Sequence, residues 1–509
     1  MAEIEIGKFT LESLTTGMYN NPEIVYREYI QNAVDSFDNA VAQNLMSLDD
    51  CRIEIIVDAE RQEISVKDNG TGIKKELAVK TLLDIGNSSK THTTNRGFRG
   101  IGRLGGLSYC KKLSFCTSAQ NEPEKTLVTF DCAKLKELLI PGRATDYNLQ
   151  KVIEAVTEIK VLSEQASAHY FIVKMEGVDD ISSLLDIDFV KDYIAQVAPL
   201  PYRDRFYWGG EIKNELAKSD LKIAEYSIFV GDSFESLSQI YKPYKITIDV
   251  SARAGVSKDE IQGISFFDIK NSAEELLAVG WYGELNFYGT IADEKVSGIR
   301  IRQGNILIGD NKTLSPYFIE SRFNNWCVGE LYILSEDLIP NARRDGFESN
   351  RTFNEFCECF RKTIGVELGA KIRNASKNRN NPMKKVLTKT EKTIQEAERV
   401  LETGFNSTYE KEQIVKGLEA ARKDLYVIPK DAPAEVIEQK TELVERLTTL
   451  TEEVDSSSNY KAKKDITSNF SKSEKKIIQA MLEVLTRNFE RPTVDSLYKE
   501  FLEELKKKG

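Results

Sequence analysis

A chain of 509 residues exceeds what one hydrophobic core holds, so several domains are expected. Its composition, 41% apolar and 29% charged, is that of a water-soluble globular protein. No apolar run nears the roughly 18 residues that span a bilayer, and a net charge of −10 argues against attraction of the whole surface to nucleic acid.

The two histidines, His92 and His169, leave too little for a zinc site or a Ser-His-Asp hydrolase. Seven cysteines are scattered without a CxxC pair, and Cys357 and Cys359 are too close for an easy disulfide, so reduced thiols are expected. The stretch Met1–Thr10 lacks the basic and apolar regions of a secretory signal. The expected location is the cytoplasm, with no membrane partner.

In chain order, the first 200 residues read as mixed helix and strand. A helix is expected from Pro22 to Gln43, followed by a hairpin of two alternating strands, Arg52–Asp58 and Glu63–Asp68. Further strand-like runs lie at Lys112–Thr117, Leu127–Asp131 and Tyr170–Met175, and Ala198-Pro199-Leu200-Pro201 marks a boundary. A second mixed block follows, with strands expected at Tyr244–Val250, Gly283–Tyr288, Gly298–Arg302 and Glu330–Ile333. Beyond about residue 366 glycine becomes rare and Leu387, Ile394, Ala397, Val400 and Leu401 fall at helical spacing. Breaks at Gly404–Asn406 and Ile428–Asp431 divide this part into two or three long helices, the last at Pro433–Val454. Helical hairpins and a coiled coil fit it equally. Asp455–Asn459 reads as a linker before two short terminal helices. The expected domains are therefore 1–205, 206–365, 366–455 and 456–509.

Three motifs carry chemistry. In Glu28-Tyr29-Ile30-Gln31-Asn32-Ala33-Val34-Asp35, residues 28, 32 and 35 share one helix face. A carboxylate and an amide oxygen at that spacing suit a water molecule and a hard divalent ion such as Mg2+. Asp68-Asn69-Gly70-Thr71-Gly72 closes a strand with a sharp turn, where a fixed carboxylate can accept from an exocyclic amine and glycines let the backbone approach a ring. Glycines 97, 100, 102, 105 and 106 free backbone N–H groups to face phosphate, and the polar run Asn87–Arg96 before them has the make-up of a lid. No Gly-Lys-Ser/Thr follows, so this is not a Walker loop, and the string Gly100, Gly102, Gly105 lacks the preceding strand of a dinucleotide fold.

In this order the motifs resemble the GHKL ATPase superfamily, which includes gyrase B, the ninety-kilodalton heat-shock chaperones, MutL and MORC proteins. The resemblance covers roughly residues 1–365 and implies an α+β chain. It would hold a two-layer α/β sandwich ATPase domain (the Bergerat fold), a second α/β transducer domain and an all-helical C-terminal region. It implies ATP and Mg2+ as ligands, Glu28 as the base that activates water, Asn32 as the magnesium ligand and Asp68 as acceptor for the adenine amine. Gly70 and Gly72 would line the base pocket, and Asp35 either lines it or supports the helix. Asn87, Lys90, Gly97, Arg99, Gly100, Ile101 and Gly102 would form the lid and phosphate loop. Leu338–Asp345 looks like the chaperones' middle-domain loop, whose arginine reaches the γ-phosphate; spacing favours Arg344, with Arg343 next. Gln303-Gly304-Asn305 is similar to a transducer phosphate-sensing loop. The superfamily's pocket threonine falls on no specific residue, and gyrase-type and MutL-type C-terminal modules are absent.

The implied activity is ATP hydrolysis driving a conformational clamp, with ATP-dependent association of N-terminal domains in a homodimer. Two uses compete. One is a chaperone-like switch acting on a protein client or effector subunit, in a bacterial system such as antiphage (antiviral) defence. The other is a MORC-like clamp on DNA, or a regulatory subunit for a separate effector nuclease. The run of Lys and Arg from 371 to 392 would supply the DNA contact.

Overall fold

The computed structural model describes residues 6–14, 21–85, 101–144, 146–179, 183–219, 221, 223–251, 257–380, 382–405, 408–429 and 432–460, with scattered positions between 471 and 504. Two compact units emerge, Met1–Arg373 and Asn374–Gly509.

The first unit begins with α1 (Phe9–Leu14), α2 (Ile24–Ala42), the hairpin β1 (Arg52–Asp58) and β2 (Glu63–Asp68), and α3 (Lys75–Leu83). Next come β3 (Lys112–Ser118), β4 (Glu124–Asp131), α4 (Cys132–Leu138), α5 (Leu149–Val156), β5 (Thr157–Ser163), β6 (Tyr170–Glu176) and α6 (Ile187–Val197). After α7 (Trp208–Leu216), strands β7 (Ser227–Gly231) and β8 (Ser238–Gln239) complete a sheet of order β5-β4-β3-β6-β2-β1-β7-β8. All its neighbours are antiparallel except β1 and β7. The sheet thus takes two strands from beyond residue 205, since a parallel partner requires a long crossover.

One face of this sheet is apolar. Ile53, Ile55 and Val57 alternate with more exposed residues on β1, and Ile64 and Val66 do so on β2. Helix α2 lies on that face through Val25, Tyr29, Ile30, Ala33, Val34 and Phe37, giving two layers around one core. Each large side chain buried there contributes about 1.5–3 kcal/mol. The helix ends where Gln43 N–H bonds Asn39 O and Asn44 turns left-handed at φ 54°.

The second block opens with β9 (Thr247–Ser251), β10 (Lys258–Glu260), β11 (Gly263–Lys270), β12 (Leu276–Glu284) and β13 (Thr290–Ile291). It closes with β14 (Gly298–Gln303), β15 (Ile306–Ile308), β16 (Val328–Ile333) and α8 (Arg351–Phe360). A five-stranded sheet has the order β11-β12-β16-β14-β15. The strand expected at Gly283–Tyr288 is instead β12, which ends at Glu284. Because β12 is central and buried on both faces, it reads as an apolar run, without the alternation that marks a half-buried strand. Residues 303–305 form a tight hairpin turn, with Gly304 and Asn305 at φ 53° and 64°, and the Asn305 amide donates to Ala224 O.

Helix α9 (Val366–Asn380) leads to α10 (Pro382–Thr403), α11 (Thr408–Leu425) and α12 (Ala434–Ser456). The last three close around one core that includes Leu387, Ile394, Leu418, Leu425, Leu443 and Leu447, forming a three-helix bundle. The stretch expected as a linker is pinned to it: Phe405 N–H donates to Asn459 O, and the Phe405 and Tyr460 rings pack 5.7 Å apart. Of the eight cations between 371 and 392, Lys371 pairs with Glu367, Arg373 with Glu320 and Lys389 with Asp424, at 2.7, 3.0 and 2.7 Å. A nucleic-acid phosphate would have to compete with those carboxylates.

Candidate ATP site

Helix α2 is buried nearly all round, and its polar residues occupy a second buried stripe of Arg27, Glu28, Gln31 and Asp35. Four polar side chains on a helix so deeply packed cost free energy unless they find partners. Glu28 is only 8% exposed. Its carboxylate lies directly on Gly102, where an added Cβ would collide with Oε2. The glycine-rich segment continues as a 310 turn over Gly102–Ser108 packed along α2, with Gly106 against the Tyr29 hydroxyl. These glycines therefore allow close approach to the helix, a need separate from phosphate binding. Arg103 fixes the same turn to the end of α3 by donating to the carbonyls of Leu82 and Asp84. Burial lowers its guanidinium to about 10, against the pull of Asp84.

The second element is the turn after β2. Asp68 is buried, and Gly70 N–H donates to its Oδ1 at 2.9 Å. Burial pushes this carboxyl up to about 7, the Gly70 hydrogen bond opposing. Among the described residues this one N–H leaves most of the carboxylate's acceptor capacity unused. Thr71 N–H donates to Ser36 Oγ on α2, and the Cα of Gly70 backs onto the same Ser36. Gly72 adopts φ 61° and presses on the Ser118 carbonyl, so both its conformation and its lack of Cβ are required.

The third element arrives from far along the chain. Pro340 bridges to Phe347, making a tight loop that presents Arg343 and Arg344. Arg344 is left-handed at φ 55° and buried, whereas Arg343 is exposed. The buried guanidinium of Arg27 donates to the Arg343 carbonyl at 2.7 Å and to the Arg344 carbonyl at 3.5 Å. The same Arg27 lies 3.9 Å from the Glu28 carboxylate. Asp345 is held by the Asn341 amide.

The structure thus brings Glu28, Ile101, Gly102, Arg343 and Arg344 around the start of α2, while Asp68, Gly70 and Gly72 sit beside Ser36, two turns along it. Asn32 is half-buried between the two groups on the Glu28 stripe, and Asp35 is buried. Asn87, Lys90, Gly97, Arg99 and Gly100 lie outside the described residues. Among the described residues no cluster of three His, Cys, Asp or Glu is placed to hold a metal ion. Magnesium, which keeps water and takes phosphate oxygens as ligands, fits an amide such as that of Asn32 without such a cluster. Arg27, Ser36 and Arg103 were not singled out from sequence. Ser36 could have been, because it stands one turn beyond Asn32 on the same face.

Comparison with known proteins finds a family match over the part of the chain that holds α2 and β1 to β4. A family profile described as "Histidine kinase-, DNA gyrase B-, and HSP90-like ATPase" matches residues 19–165. The chaperone protein HtpG of Anaplasma marginale is 36% identical over 102 residues, 19% of this chain and 16% of that protein. HtpG of Nitrobacter hamburgensis is 32% identical over 92 residues, 17% and 14% of the two chains. An endoplasmin homolog of Leishmania donovani is 28% identical over 114 residues, 20% and 15%. The chain thus covers about a sixth of these relatives' length. No helix among the described residues is long and apolar enough to cross a membrane. Residues 19–165 are accordingly a domain of the GHKL superfamily of histidine kinase-, gyrase B- and HSP90-like ATPases, HSP90-like in character.

Proposed function

We propose that this chain binds and hydrolyses ATP and uses the cycle as a chaperone-like conformational switch. One observation carries the reading: Arg27 joins the Glu28 carboxylate to both carbonyls of the Arg343–Arg344 loop, within one chain. An activating carboxylate and an arginine loop are thereby adjacent, as phosphoryl transfer to water needs.

In this reading Glu28 takes the proton of the attacking water. Arg344, with Arg343 beside it, offsets charge developing on the γ-phosphate. Asp68 accepts from the adenine amine, Gly70 and Gly72 let the ring approach, and Asn32 offers its amide oxygen to magnesium. The metal, when bound, neutralises phosphate charge. Asp68 fits its role because its carboxylate is buried without a cationic partner among the described residues, so a donor from the base would stabilise the charged form. Asp35, buried at the far end of the stripe, supports the helix in this scheme.

The HtpG relatives are named chaperones, and by that likeness the switch would act on a protein client as a homodimer. Solution mass with and without a nonhydrolysable ATP analogue tests the dimer; an unchanged monomer mass under both conditions removes it. ATP turnover measured alone, with DNA and with unfolded client proteins tests the use. Stimulation by client and not by DNA is expected, and stimulation by DNA alone would overturn it.

A further inference from the structure

Three residues stand side by side on the pocket end of the first sheet. Asp68 on β2 is directly opposite Phe171 on β6, and Phe171 is directly opposite Thr117 on β3. Cross-strand partners point to the same face with Cβ atoms about 4.5–5.5 Å apart. That face is the one carrying Val66, Val173 and Phe115 in the core. Further along β6, Val173 and Met175 are 3% and 0% exposed, whereas Phe171 is only half-buried. Its ring therefore emerges from the core at the row where Asp68 begins the Gly70–Gly72 turn. The ring is held, stacked on Phe115 at 5.9 Å and 28°.

Thr117 has a different task. Its hydroxyl accepts from Ile73 N–H at 2.8 Å and donates to Tyr170 O at 3.1 Å. His169, next in chain, meets Gly70 O at 2.8 Å. Both ends of the Asp68 turn are thus tied to β3 and β6, leaving Phe171 as the apolar surface between them.

We propose that Phe171 is a wall of the nucleobase pocket, gripping the ring whose amine Asp68 accepts, and that Thr117 positions the turn that sets their separation. This rests on the ATP-site reading above. A half-exposed aromatic beside a buried carboxylate recognises a flat heterocycle that carries a donor on its edge, which adenine is and a phosphate is not.

The test measures dissociation constants of ATP, ADP, adenosine and inorganic tripolyphosphate for the full chain and for F171L, F171A and T117V, with thermal melts alongside. Loss of one aromatic contact to a base is expected to weaken ATP, ADP and adenosine alike, on the order of tenfold for F171A and less for F171L. Tripolyphosphate binding should be unmoved. T117V should weaken the three adenine ligands also. Should F171A fail to fold, F171L decides. Parent protein that binds ATP, with F171L and F171A binding adenosine as tightly, sinks this inference and spares the site. Parent protein that binds no adenine ligand sinks both.

Discussion

Two regions of the first unit bury charge, and they do so in opposite ways. In the five-stranded sheet, Glu330 is fully enclosed with Lys242 at 2.7 Å, Arg302, and the hydroxyls of Tyr202, Tyr244 and Tyr332 at 2.8, 3.0 and 2.6 Å. Burial alone would raise that carboxyl, but Arg302 and Lys242 hold it well below the usual carboxylate range. Burial and Arg302 bring the Lys242 ammonium down to about 7, against the pull of Glu330. Arg302 also donates to the carbonyls of Gln196 and Asn305, so the node ties the end of α6 to the second sheet. Around α2, by contrast, Asp68 has a single backbone N–H, and Gln31 has no partner for either amide atom among the described residues. Charge that is saturated internally holds a fold together; charge left with spare capacity is available to a ligand.

Exchanging the two regions' roles by mutation tests that contrast. The largest effect is expected at Glu330→Gln, which leaves Lys242 and Arg302 buried with no countercharge. Stability should fall by about 3–5 kcal/mol, read by denaturant unfolding. A loss near zero would mean that the node is solvated. Next, Gly102→Val drives a side chain into the Glu28 carboxylate. Hydrolysis should drop on the order of 10²-fold, with overpacking lowering stability by about 1–3 kcal/mol. A variant that hydrolyses normally would place Glu28 away from the reacting water.

A smaller effect is expected at Arg27→Ala, which releases the Arg343 carbonyl while the Arg344 carbonyl keeps the Gly309 N–H. Turnover should fall roughly 10- to 100-fold with ATP affinity nearly kept. Equal loss of affinity and turnover would make Arg27 a binding residue. Smallest is a pH effect. The Asp68 pKa is raised in the folded chain to about 7, so its contribution to stability is fully present below about pH 4 and is lost as pH rises through 7. An adenine amine needs the charged form, so affinity for ATP and adenosine alike should rise about tenfold between pH 6 and pH 8. A flat profile would leave the base elsewhere.

The sequence showed some of this and hid the rest for physical reasons. The β1–β2 hairpin was readable to its end residues because one face meets the core and the other water, which writes alternation into the chain. Strand β12 was expected too far along because it is covered on both sides, and β11 went unread because this edge strand is only partly buried along its first half, where no alternation is written. The Glu28, Asp68 and glycine motifs were legible as types and order. That Gly102 serves Glu28 is packing, which no spacing reveals. The meeting of Arg27 with Arg343 joins residues 316 apart in the chain, and Phe171 faces Asp68 only through strand register. Neither leaves a local signal.

The central claim is that α2 manages a bound triphosphate through Glu28. Single-turnover hydrolysis and equilibrium ATP binding, measured together on Glu28→Ala, address it most directly. The account predicts binding within a few-fold of the parent and hydrolysis lowered by roughly 10²–10⁴. Hydrolysis at the parent rate by a variant that binds ATP would contradict it.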